Sequence, residues 1–110
     1  MISPEQVREF ALACGWTEHQ PTEIFEYCWV DHHGAKYIYL PDFLTSKDAV
    51  IEALEYFCTR NELLYEIRQA RDGYWVDLDK YAGSRLGAVK GETLNIAIIL
   101  AVLSAAKREG

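Results

Sequence analysis

The segment LNIAIILAVLSAA, residues 94 to 106, is apolar on nearly every side of the helix it would form. A surface helix hides one stripe, but a helix of this kind has to be covered on more than one side. Its 13 residues fall short of the roughly 20 a bilayer span requires. The rest of the chain must therefore wedge it between a sheet and other elements, or a second copy must cover it as a subunit interface.

The cover is available upstream. Ser3 reads as an N-cap, with Pro4 at the first helical position and Gln6 completing a capping box. Val7, Phe10, Ala11 and Cys14 recur at helical spacing, and Gly15 ends that helix. TEHQPTE reads as a loop around Pro21. IFEYCWV (24–30) and KYIYL (36–40) read as strands joined by a turn at Gly34. Thr45 or Ser46 caps a second helix over about 47–60, whose inner stripe is Val50, Leu54, Phe57 and Cys58. ELLYEIRQ and GYWVDLD (73–79) form a second hairpin around Asp72-Gly73. A loop over 79–91 leads to the last helix at about 92–108. The order αββαββα predicts one α+β domain over residues 1–110. Its centre would be a four-stranded antiparallel sheet layered with helices as an α/β/α sandwich.

Charge and cysteines narrow the function classes. The 17 acidic residues against 11 basic give a formal charge of -6, the opposite of a nucleic-acid or anionic-membrane footprint. An acidic surface does suit a basic partner. Cys14, Cys28 and Cys58 are odd in number and contain no CxxC, so they read as reduced core thiols of a cytoplasmic protein without cofactor. MISPEQVREF has neither an apolar signal core nor a basic leader.

YAGSRLGAVKGET, residues 81 to 93, spaces three glycines four apart and runs into the last helix. It matches neither a P-loop nor G-x-G-x-x-G. It offers a glycine-rich approach to a helix N-terminus, with Tyr81, Ser84, Arg85, Lys90 and Thr93 as candidates for an anion or nucleotide. Tyr37, Tyr39 and Trp75 are candidates for an aromatic binding surface. His32 and His33 are adjacent, and strand geometry would send them to opposite sides, so no metal site is expected. Asp77 and Asp79 share one strand face and read as solvated. Ser84 and Thr45 lack a neighbouring base, and Cys28 is flanked by bulky residues. No nucleophile, base and orienter fall together, so catalysis is not expected.

Gly15-Trp16 after the first helix, Leu40-Pro41-Asp42-Phe43 before the second, and Glu92-Thr93-Leu94 opening the last resemble the phage ABA-sandwich domain. The resemblance runs over most of the chain. It implies a three-layer fold and a phage or prophage setting inside a bacterial host, and no activity, since that family is of unknown function. Residues and resemblance together favour a non-enzymatic binding protein. Acting on a host protein, as an antagonist of host defence, comes first, with homo-oligomerisation through the last helix. A binder that sequesters a nucleotide signal with the 81–93 loop is the alternative, and an enzyme comes third.

Overall fold

The computed structural model describes residues 2–24, 28–80 and 88–109. Among these are three helices and two three-stranded antiparallel sheets. Helix α1 (Pro4–Ala13) starts with the expected capping box, in which Ser3 and Gln6 satisfy each other's backbone N–H. It ends in a Schellman turn. Gly15 N–H donates to Leu12 O and Trp16 N–H to Ala11 O, with Gly15 at φ +90°.

The first sheet is small. Strands β1 (Thr17–Glu18), β2 (Trp29–Val30) and β3 (Lys36–Tyr37) form a meander with Thr17 opposite Val30 and Trp29 opposite Tyr37. Of the expected strand over 24–30, Trp29 and Val30 are paired, and 25–27 lie outside the described residues. KYIYL pairs only through its first two residues, and the TEHQPTE loop contributes β1. Arg8 clamps that strand to α1 through a two-pronged contact with Glu18 at 2.9 and 3.1 Å.

Helix α2 (Lys47–Arg60) follows, capped by the Ser46 hydroxyl, which accepts from Ala49 N–H. The second sheet comprises β4 (Leu64–Ala70), β5 (Gly73–Asp79) and β6 (Val89–Gly91). Ala70 faces Gly73 across a two-residue turn, and Ile67, Val76 and Val89 line up on one face. Strand β6 lies within what reads in the sequence as a loop. Helix α3 (Leu94–Glu109) packs on β5 and β6 on one side and on α1 and α2 on the other.

This corrects the expected four-stranded sheet. Among the described residues the two hairpins do not pair with each other, and each includes a third short strand of its own. A helix, and not a sheet, takes the middle. Burial of Ala97, Ile98, Ile99, Ala101 and Val102 within the chain accounts for most of the apolar surface of this helix, while Leu94, Ile96 and Leu100 stay half-buried. Asn95 is a buried polar side chain of α3 and donates to Phe43 O at 2.8 Å, tying α3 to the segment before α2. Phe43 in turn meets Phe10 and Trp16 edge-on, at 5.1 and 6.0 Å between ring centroids. No helix among the described residues is long and apolar enough to cross a membrane.

Candidate functional site

A cleft of about 500 Å³ opens between the β2–β3 turn and the first turns of α2, with Trp16 and Phe43 in its wall. The turn is built by Asp31. One of its carboxylate oxygens accepts from His33 N–H at 2.9 Å and Ala35 N–H at 2.8 Å, while its backbone N–H and C=O bond Ala35 and Gly34. Asp and Gly at such positions favour this self-closing turn, with Gly34 at φ +86°. In a turn, successive side chains need not alternate. His32 and His33 therefore bring their rings together, with centroids 4.0 Å apart. This corrects the expectation that they diverge, which applied strand periodicity to a turn.

Both imidazoles face Glu52 of α2. The Nε2 atoms of His32 and His33 stand 3.6 and 3.3 Å from one Glu52 carboxylate oxygen. His33 is exposed, whereas the His32 side chain is only 10% exposed. The His32 ring stacks on Tyr56 at 4.3 Å. Tyr56 is itself pressed against Gly15, where an added Cβ would stand 2.3 Å from its ring. The end of α1 thus positions Tyr56, and Tyr56 positions His32.

Tyr37, one of the three aromatic candidates, lines this cleft beside Trp16, with ring centroids 5.2 Å apart. Asp31, Asp48 and Glu52 add three carboxylates, and no lysine or arginine is among the described lining residues. Asp48 and Glu52 lie one helical turn apart on the same face of α2. Tyr39 is 81% exposed next to β3. Trp75 lies in the other sheet, opposite Arg68 and Lys90, so the three aromatics are divided between two sheets.

Of the anion candidates, Tyr81, Ser84 and Arg85 lie outside the described residues. Lys90 and Thr93 share a hollow of about 620 Å³ at the start of α3, with Glu92 also in its wall. Both have structural work there. Lys90 Nζ pairs with Asp72 at 2.6 Å and holds that carboxyl below its ordinary range, and it stands 6.0 Å from the Trp75 ring centroid. The Thr93 hydroxyl accepts from Ile96 N–H. Gly91 is explained by packing, since a Cβ there would stand 2.5 Å from Ala97 N. Asp77, which reads as solvated in the sequence, is buried.

The residues missed in the sequence are Trp16, Glu52, Tyr56 and the convergence of the two histidines. The usable signal was Asp31 and Gly34 bracketing His-His, a turn pattern that removes the alternation argument. No known protein family, curated protein or solved structure matches the chain. The resemblance to the phage domain therefore stays a likeness of short motifs.

Proposed function

We propose that this chain is a binding protein that captures a lysine- or arginine-bearing segment of a partner protein in the cleft between the β2–β3 turn and α2. The observation that carries this is the cleft's charge. Asp31, Asp48 and Glu52 line it with no lysine or arginine among the described lining residues, beside the Trp16–Tyr37 pair. A guanidinium or ammonium group gains from an aromatic face by about 0.5–2 kcal/mol. Each partly exposed carboxylate adds about 0–1 kcal/mol, screened by salt. The same lining disfavours a nucleotide or other anion here. The chain's overall charge of -6 would speed encounter with a basic surface.

The test is fluorescence anisotropy with a labelled arginine- and lysine-rich peptide, an acidic peptide of equal length serving as control. The basic peptide binds, binding weakens as salt rises, and the isosteric D48N/E52Q variant binds about tenfold more weakly. Equal binding of both peptides, or an unchanged affinity in D48N/E52Q, overturns the reading.

A further inference from the structure

We infer that His32, His33 and Glu52 form a site for a borderline divalent cation of the zinc, cobalt or nickel type. The cation would be held through the two imidazoles and the carboxylate, with one position left open to the cleft. The ligand atoms of the three residues lie within 4.8 Å of one another. Both Nε2 atoms face the same Glu52 oxygen, at 3.6 and 3.3 Å. A tetrahedral ion with bonds of about 2.0–2.1 Å to nitrogen and oxygen separates its ligands by about 3.3–3.4 Å along each edge. The two imidazole–Glu52 spacings fit such an edge. They are longer than the roughly 2.7–2.9 Å of a charge-assisted hydrogen bond, so a closed His–Glu bond describes them less well.

His32 supplies the second, independent observation. Its side chain is nine-tenths buried, and its Nδ1 has no hydrogen-bond partner among the described residues. Its Nε2 stands 3.6 Å from Glu52. A buried imidazole nitrogen is seldom left without a close polar partner, and a cation at Nε2 gives that nitrogen a stronger interaction than its 3.6 Å approach to Glu52, with the ring proton then carried on Nδ1. The ring is already aimed, being stacked on Tyr56 from one side and against His33 from the other. Two imidazoles and one carboxylate suit zinc, cobalt and nickel better than calcium or magnesium, which favour all-oxygen shells. Three protein ligands leave a position for water or for a group entering the cleft.

Metal and a partner's basic side chain draw on the same Glu52 carboxylate, so they are alternative occupants. The inference stands on these three residues and needs no partner. The experiment is titration of the metal-free chain alone with Co²⁺, followed by its visible absorption, and with Zn²⁺ by calorimetry. One ion per chain is expected, with a dissociation constant on the order of micromolar and the cobalt absorption of a low-coordinate nitrogen–oxygen site. H33A and E52Q alter exposed side chains, circular dichroism checks that both variants fold, and each weakens binding at least about tenfold. No uptake at these concentrations overturns the site. So does uptake unchanged in H33A and E52Q, or a cobalt spectrum with thiolate charge-transfer bands, which would place the ion on the cysteines. Peptide capture, measured with chelator present, passes or fails independently of this result.

Discussion

Replacing Gly15 with alanine tests the chain of contacts that runs from α1 through Tyr56 to the cleft. Gly15 holds φ +90°, and a Cβ added there stands 2.3 Å from Tyr56 Cε1 and 2.8 Å from Cζ. Positive φ costs a non-glycine residue about 1–2 kcal/mol. Carbons in contact need about 3.5–4.0 Å, so the Tyr56 ring must move by more than an ångström. Overpacking of that kind costs about 1–3 kcal/mol. Alanine recovers about 0.4–1 kcal/mol by restricting the unfolded chain. The net loss is about 1–5 kcal/mol, about 3 at the midpoints, or a fall in Tm of roughly 12 °C for a domain of this size. Gly34→Ala is the matched control, because Gly34 has φ +86° with nothing within 4 Å of an added Cβ. It carries the backbone cost alone, about 1 kcal/mol after the same offset. Thermal unfolding by circular dichroism reads both variants. Equal falls in Tm would show that the Tyr56 contact contributes nothing and would refute the reasoning.

Three further outcomes follow from the same geometry. Asn95→Ala removes the only buried donor described for Phe43 O, so Tm should fall by an amount corresponding to about 1–3 kcal/mol; an unchanged Tm would mean that water or backbone relaxation replaces the bond. Lys90 depresses the Asp72 carboxyl, chiefly through its hydrogen bond, and Arg8 does the same to Glu18. A lowered carboxyl stabilises the fold above its unfolded pKa, and that contribution is lost as pH falls through the folded value. Asp72→Asn should therefore lower Tm at neutral pH, with the gap to wild type closing as pH falls below the ordinary aspartate range; a gap independent of pH contradicts the pairing. Burial pushes the Cys58 thiol up to about 11, with Glu55 adding to it, and raises Cys14 further still. Alkylation mapped by mass spectrometry at neutral pH should mark Cys14 and Cys58 only after unfolding; labelling of either at the rate of a free thiol would contradict their burial.

Local chemistry was legible where it acts over a few residues. The Ser3–Gln6 box, the Ser46 cap, Gly15 at the end of α1 and the span of β5 all follow from capping and alternation. Strands β1 and β6 were not legible. Two exposed residues and a Val-Lys-Gly carry no alternation, and their pairing comes from neighbours brought up by tertiary packing. The four-stranded expectation failed for the same reason, since nothing local states whether two hairpins pair with each other or each with a third strand. The sequence correctly required α3 to be covered, and left open whether a sheet and helices or a second copy covered it. The candidate site was the least legible part. Trp16 meets Tyr37 only because the small sheet folds back on the end of α1, and His32 meets Glu52 only because α2 lies beside the β2–β3 turn. The glycine at position 91, which reads as part of a phosphate loop, serves the close approach of α3.

We propose the cleft between the β2–β3 turn and α2 as the place where this protein meets a basic partner. Amide chemical-shift mapping on the isotope-labelled chain, titrated with the arginine- and lysine-rich peptide, tests it most directly. Shifts are expected to concentrate at 31–37 and 46–53, with the Trp16 indole moving alongside them. Shifts concentrated at Lys90, Thr93 and the start of α3, or spread evenly over the acidic surface, would contradict the proposal.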